Sequence, residues 1–456
     1  MNKNLLNIVI LAAGKGTRMH SSKPKVLHNL AGKPLLQHVI NCAKQLSPEK
    51  IIVVYGYGGE IVPDAFEHET ISWVEQAEQL GTGHAVQQAA SLLDKDAKVL
   101  ILLGDVPLVN ISSCKALLSK TEQLGLLTVK KQNPSGYGRI VRDASNKVTA
   151  IVEQKDANDV QLKINEVNSG IIAANTSHLS AWLQQLNNNN AQKEFYLTDI
   201  VAMAVNDGFE VSTEITDDEA AVAGVNSKPD LATLEREFQQ RQALKLMQAG
   251  VTLFDPLRID VRGDLEVGHD VEIDVGCIFE GKVVLANGVK IGAYCVIKDS
   301  NLGVGTTVAP FTHMEQVVIA DDCRIGPFAR LRPGTTLNTD THIGNFVELK
   351  NSQVDVGSKI NHLSYVGDTS IGKSVNIGAG TITCNYDGAN KFRTQIGDNV
   401  FIGSDTQLIA PVTIGDGATI AAGSTITKDA PADRLTISRG RQITIEGWKR
   451  PQKVKK

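Results

Sequence analysis

From Val251 onward an aliphatic residue returns at every sixth position, often with glycine next to it. Val267, Ile273, Phe279, Leu285, Ile291 and Ile297 form one phase; Ile325, Leu331, Leu337, Ile343 and Leu349 form a second; Ile396, Ile402, Leu408, Ile414, Ile420 and Ile426 form a third. Neither a helix, with period 3.6, nor a half-buried strand, with period 2, repeats this way. A six-residue period fits one short strand and a turn. Three such units close a coil, and successive coils stack their aliphatic residues into interior columns. The second half therefore reads as a parallel β-helix over residues 251–456, and the breaks in phase read as loops pushed out of the coil. A stacked coil offers no pocket by itself, so its sites are expected between chains, in an oligomer.

The first half follows a different grammar. Apolar runs at Asn7–Ala12, Ile51–Tyr55, Val99–Leu103 and Gly125–Val129 read as buried strands, with amphipathic stretches such as Leu35–Gln45 and Gly83–Leu93 between them. That alternation implies a parallel sheet covered by helices on both faces, with ligands at the carboxyl ends of the strands. Between the halves, Ser227 and Asp230 have capping-box spacing, Pro229 suits a first turn and Gly250 can close a helix. Leu231, Leu234, Phe238, Leu244 and Met247 mark one apolar side. The division is residues 1–229, a helical linker at 230–250, and 251–456.

Composition narrows the function classes. A net charge of −4 supplies no basic field for nucleic acid. Six cysteines without a CxxC pair suit reduced thiols in a cytoplasmic protein. The apolar run of Met1–Leu11 lacks the features of a signal peptide and reads as a strand, and no later run is long enough for membrane insertion.

The sharpest motif is Leu11-Ala12-Ala13-Gly14-Lys15-Gly16-Thr17-Arg18-Met19, followed by Lys23-Pro24-Lys25. It directly follows the first strand. Glycines there let backbone N–H groups approach phosphates, a helix start would favour negative charge, and Arg18 and Lys25 add cations. It is neither a Walker loop nor a dinucleotide fingerprint, because no Gly-Lys-Ser/Thr closes it and Met19 replaces the third glycine.

This loop resembles the signature of sugar-nucleotide pyrophosphorylases. Further segments agree: Gln76 with Leu80-Gly81-Thr82-Gly83 resembles the uracil-reading segment, and Leu103-Gly104-Asp105-Val106-Pro107 the metal-binding turn. Gly136-Tyr137-Gly138-Arg139, Glu153, Glu166-Val167-Asn168-Ser169-Gly170 and Asn226 resemble the sugar-binding and second metal positions. One departure is Leu103, where the family pattern often has tyrosine. With the hexapeptide half added, essentially the whole chain is similar to the bifunctional bacterial N-acetylglucosamine-1-phosphate uridylyltransferase / glucosamine-1-phosphate acetyltransferase family. The fold class implied is an α/β Rossmann-like nucleotidyltransferase domain, a helical linker and a left-handed parallel β-helix. The resemblance implies UTP, N-acetylglucosamine 1-phosphate, glucosamine 1-phosphate and acetyl-CoA as substrates, Mg²⁺ as cofactor, and a homotrimer. Asp105 and Asn226 would be the metal ligands. Leu11, Ala12, Ala13, Gly14, Lys25, Gln76, Gly81, Thr82, Leu103, Gly104, Asp105, Gly138, Glu153, Asn168 and Asn226 would line the nucleotide and sugar site, with Arg18 and Lys25 stabilising the transferred phosphate.

In the repeat half, the polar residues that interrupt the aliphatic pattern are the informative ones. Acetyl transfer to an amine needs a base, and histidine is best matched near neutral pH. His362, in Ile360-Asn361-His362-Leu363-Ser364-Tyr365, stands among aliphatic and small neighbours and is the candidate, ahead of His269, His313 and His342. By the same resemblance Arg332 and Lys350 would hold the acceptor phosphate, and Tyr365 and Asn376 would orient the acceptor. Asn385, Tyr386, Ala379, Ser404, Ala422 and Arg439 would contact acetyl-CoA. Cys384 reads as a small core or rim residue rather than an acyl carrier. Two rivals are a β-helix that only assembles the enzyme, and an inactive scaffold. The first has no need of the cluster Arg332, Lys350, His362, Tyr365, Asn376 and Asn385; the second has no need of Arg18, Lys25 and Asp105.

Overall fold

The computed structural model describes residues 5–453, so Met1–Asn4 of the N-terminal run lie outside it. Contacts divide the chain into Met1–Phe238 and Gln239–Lys456.

The first unit is built on one sheet. Its main path runs Val211–Thr216, Leu124–Lys130, Glu166–Asn175, Lys98–Leu103, Leu6–Leu11, Lys50–Tyr55 and Ser72–Glu75. Side-chain alternation splits the core into two faces. Ile8 and Ile10 pack with Leu36, Val39 and Ile40 of the helix Leu35–Gln45. Val9 packs on the other side with Ala85, Val86, Trp182 and Leu183. The strand–helix alternation suggests a parallel sheet, but Glu166–Asn175 is antiparallel to both of its neighbours. After Lys130 the chain makes a hairpin, Arg139–Arg142 with Val148–Val152, rather than a helical crossover. It therefore re-enters the sheet at the end it left, where Glu166 pairs with Lys130.

The helix between the halves spans Lys228–Gln248. Asp230 N–H donates to Ser227 Oγ at 3.3 Å, and Asn226 N–H donates to Asp230 Oδ2 at 3.0 Å. Leu234 is buried with the first unit and Phe238 packs beside it, while Ala243 and Leu246 are buried with the second. Leu244 and Met247, grouped by periodicity with the apolar side, are exposed. The burying stripe advances by one position along a helix this long, since 3.6 residues per turn do not match the sequence spacing.

The second unit is a parallel β-helix. Ile273, Phe279, Leu285, Ile291, Ile325, Leu331, Ile343, Ile402, Leu408 and Ile414 are all at most 3% exposed and share one core. A buried Ile or Leu contributes about 1.5–3 kcal/mol. Most phase breaks are not extruded loops. From Ile297 to Leu302 and from Met314 to Ile319 the coil simply drops one residue at a turn, and both partners stay buried. Among the described residues the coil makes one true excursion. Glu348 pairs with Tyr365 and Tyr365 with Ile382, but Ile382 pairs with Gln407. The surplus is residues 385–393, which leave the coil before Thr394 rejoins it beside Thr369. Many coil corners adopt left-handed backbone, and glycine, Asn and Asp fill most of them (Gly305, Asp322, Asp340, Asn351, Asp368, Asn399, Asp405). One edge departs from this: Tyr294, Phe311, Phe328 and Phe346 take that conformation with rings stacked 5.0–5.4 Å apart, all about half exposed.

Candidate functional site

Two adjoining cavities open at the carboxyl ends of Leu6–Leu11 and Lys98–Leu103. The first, about 580 Å³, is lined by Leu11, Ala12, Ala13, Gly14, Lys25, Gln76, Gly81, Thr82, Leu103 and Asp105, among others. The second, about 480 Å³, shares Leu11, Thr82, Leu103 and Asp105 with it and adds Arg18, Gly138, Glu153, Asn168 and Asn226. Of the residues expected to line the nucleotide and sugar site, with Arg18, all line one or the other except Gly104. Gly104 N–H donates to the Leu11 carbonyl at 2.9 Å, and a Cβ there would come within 3.2 Å of Ala12. Its contribution is close approach of two strand ends. No α-helix starts directly after the glycine loop; one short 3₁₀ turn, Thr17–Met19, follows it, and the first α-helix begins at Leu35. Gly16, with φ +60°, lets the stem of Lys25 cross where a side chain would collide with it.

Lys25 Nζ donates to Asp105 Oδ2 at 2.5 Å and to Asn226 Oδ1 at 3.1 Å. Backbone pairing of Val225 N–H with the Asp105 carbonyl, at 2.9 Å, brings the two loops together. Gln76 is buried and donates to the Gly81 carbonyl at 3.0 Å. Asn168 N–H donates to the Gly138 carbonyl at 2.9 Å. Glu153 accepts from Thr198 at 3.1 Å; burial, with Asp156 and Asp199 nearby, pushes its carboxyl above the usual range despite that bond. Two members of the same motifs turn away. Glu166 is paired with Arg142, and the buried Arg139 donates to Gln154 and to the Tyr137 carbonyl. Thr198, Glu194 and Ser135 reach the cavities without having been singled out from sequence. Glu194 and Ser135 stand in polar loops and Thr198 in the short helical turn Leu197–Asp199, with no local pattern to mark them.

In the β-helix, strand register places His362 above Asn345. Gly380 N–H then bonds to the His362 carbonyl, Asp405 N–H to the Ala379 carbonyl, and Gly423 N–H to the Ser404 carbonyl. Asn345, His362, Ala379, Ser404 and Ala422 thus form one column, with coils roughly 4.8 Å apart. Arg439 ends it, donating to the Ala422 carbonyl at 2.9 Å. His362 is exposed, and its Nδ1 lies 2.9 Å from Asn345 Oδ1. A second column stacks Arg332, Lys350 and Gly367, with Tyr365 and Asn385 leaning over Gly367. Arg332 donates to Glu348 at 2.9 Å. The Lys391 ammonium beside Lys350 holds the latter's pKa below its ordinary value, with burial adding to this. Lys391, in the excursion, was not singled out from sequence; the extra length that carries it was the available signal. Tyr386 donates to the Gly388 carbonyl within the excursion. Asn376 stands on a different face, stacked with Lys359 and Phe401, so one chain does not bring it to Arg332. Cys384 is partly buried, which raises its thiol pKa and disfavours the thiolate an acyl carrier needs. Among the described residues no group of three or more His, Cys, Asp or Glu is placed to hold a metal, and no helix is long and apolar enough to cross a membrane.

Three family models match parts of the chain. Residues 8–162 match the MobA-like NTP transferase domain, and residues 393–428 match the bacterial transferase hexapeptide (six repeats). Residues 261–354 match the GMPPB C-terminal domain. The chain is 68% identical over 451 residues to the bifunctional protein GlmU of Methylobacillus flagellatus, covering 99% of this chain and 98% of that one. It is 58% identical to the same protein of Janthinobacterium, over 99% of this chain and 100% of that one, and 57% identical to that of Azoarcus, over 98% and 100%. The two halves together form an α/β nucleotidyltransferase unit and a left-handed parallel β-helix of hexapeptide repeats.

Proposed function

The chain belongs to the family of bifunctional GlmU proteins, and from that premise we propose that it makes UDP-N-acetylglucosamine in two steps. The β-helix unit transfers acetyl from acetyl-CoA to glucosamine 1-phosphate. The α/β unit transfers uridylyl from UTP to the resulting N-acetylglucosamine 1-phosphate and releases pyrophosphate, feeding peptidoglycan and lipopolysaccharide precursors. The observation that carries this reading is that one chain holds two separate polar constellations, one at the strand ends around Lys25 and Asp105, the other along the coil from Arg332 to Arg439. Both substrate classes are cytoplasmic metabolites, and all six cysteines are free thiols, so both reactions belong in the cytoplasm.

For uridylyl transfer, Asp105 and Asn226 fit Mg²⁺. They already converge on a cation, the Lys25 ammonium, and both offer hard oxygens. When bound, the ion supplies charge neutralisation that lets one phosphate approach another. The sugar phosphate oxygen attacks the α-phosphorus of UTP and pyrophosphate leaves, so no protein nucleophile is required. Arg18 and Lys25 meet the charge that grows on the transferred and departing phosphates. Gln76, Gly81 and Thr82 hold the uracil side; Gly138, Glu153 and Asn168 hold the sugar.

For acetyl transfer, Arg332 and Lys350, with Lys391 adjoining, attract the acceptor phosphate. With Nδ1 of His362 donating to Asn345 Oδ1, Nε2 keeps its lone pair for the amine proton. The amine nitrogen attacks the thioester carbon, the C–S bond breaks, and the proton passes to His362. The small residues Ala379, Ser404 and Ala422 leave room for the pantetheine arm, and Arg439 meets the CoA phosphates. Asn376 lies on another face, and the half-exposed aromatic edge Tyr294–Phe346 borders the His362 column, so the site is completed by further copies in a homotrimer.

If the activities separate as the residues do, residues 1–238 expressed alone should transfer uridylyl groups and not acetyl groups. This fragment keeps Leu234 and Phe238, which pack with the first unit. Loss of uridylyl transfer in a folded fragment would show that the units share a site.

A further inference from the structure

Asp368 is a buried carboxylate that the mechanism above does not use. It is 7% exposed and sits at a left-handed corner, φ +49°, between Asn351 one coil below and Asn385 one coil above. Asn351 Nδ2 donates to Asp368 Oδ1 at 2.6 Å, and Asn385 Nδ2 donates to Asp368 Oδ2 at 2.5 Å. Its peptide carbonyl accepts from Thr394 N–H at 3.3 Å, and its own N–H donates to the Lys350 carbonyl at 2.9 Å. Asn385 opens the 385–393 excursion and Thr394 closes it. Both feet of the only extruded segment between Tyr365 and Ile426 therefore stand on this one residue.

We propose that Asp368 is a positioning residue of the acetyl-transfer site, acting through Asn385 to hold the excursion that carries Tyr386 and Lys391. The proposal rests on the reading of Asn385 and Lys350 given above. Residue type supports it. An ionised carboxylate is acceptor-only, so it can take an amide donor on each oxygen; an asparagine there would turn a donor toward a donor. Burial alone would push this carboxyl up, but the amides of Asn351 and Asn385, with Lys350 and Lys391, hold it below the usual carboxylate range. Asp299, at another left-handed corner, accepts from a backbone N–H, that of Lys282, at 3.0 Å. Asp368 instead spends both oxygens on side chains, one of which belongs to the site.

The test is a double-mutant cycle in the full-length protein, read as kcat/KM for acetyl transfer. Asp368→Asn and Asn385→Ala should each lower it about 10-fold or more, and the double variant should fall no more than about threefold below the worse single, because residues acting through one contact are not additive. Trypsin should cut at Lys391 and Arg393 faster in Asp368→Asn than in the parent, while uridylyl transfer is unchanged. Asp368→Ser, which keeps one acceptor and no charge, is the second variant if the first does not fold, with the same expectation. Additive losses, or a folded Asp368 variant with parental kcat/KM, would overturn the proposal. A parent protein that does not acetylate glucosamine 1-phosphate would instead contradict the reading of the site itself.

Discussion

Replacing His362 by alanine should lower acetyl transfer by about 10²–10⁴-fold while leaving uridylyl transfer untouched. The amine of glucosamine 1-phosphate is mostly an ammonium near neutral pH, and an ammonium cannot attack a thioester. A positioned base that takes this proton is worth about that factor. The Nδ1 contact with Asn345 fixes which nitrogen is free to accept it. Acetyl-CoA binding should be largely kept, since Ala379, Ser404, Ala422 and Arg439 lie further along the column. His269→Ala should leave both activities at the parental level. If His362→Ala acetylates normally and Cys384→Ala abolishes transfer, direct attack is wrong and a covalent acyl-enzyme must replace it.

Asp105→Ala should lower uridylyl transfer by about 10²-fold or more, the scale on which loss of one preorganised electrostatic contact at a charged transition state acts. It removes the carboxylate that now pairs with Lys25 and that faces Asn226 across the shared cation. Mg²⁺-dependent UTP binding, measured by calorimetry, should weaken in parallel, with acetyl transfer unchanged. Equal loss of both activities in folded protein would mean that Asp105 supports the fold rather than the site.

Much of the fold and of both candidate sites is legible in the amino-acid sequence, for physical reasons. The hexapeptide period is unambiguous because a coil fixes the spacing of every inward side chain, and each of the aliphatic residues from Ile325 to Leu349 is buried as that spacing requires. The glycine loop and Leu103-Gly104-Asp105 are local in sequence, and the site residues they supply line the cavities, Gly104 excepted. What sequence does not carry is long-range. The antiparallel strand Glu166–Asn175 depends on a hairpin taking the place of a crossover helix. The shift of burial from Leu244 to Leu246 depends on helix twist accumulated along Lys228–Gln248. Asp368 and Lys391 gain meaning only once the coil stacks Asn351, Asp368 and Asn385 above one another. One residue in a polar corner looks like any other until its neighbours in adjacent coils are known.

The most direct measurement is to incubate the protein with glucosamine 1-phosphate, acetyl-CoA, UTP and Mg²⁺ and identify every product by mass spectrometry, then omit one substrate at a time. Free CoA, pyrophosphate and UDP-N-acetylglucosamine should form together. Without UTP the reaction should stop at N-acetylglucosamine 1-phosphate, and without acetyl-CoA no sugar nucleotide should form from glucosamine 1-phosphate. Uridylyl transfer to supplied N-acetylglucosamine 1-phosphate with no acetylation of glucosamine 1-phosphate would contradict the account, leaving a β-helix that only assembles the enzyme.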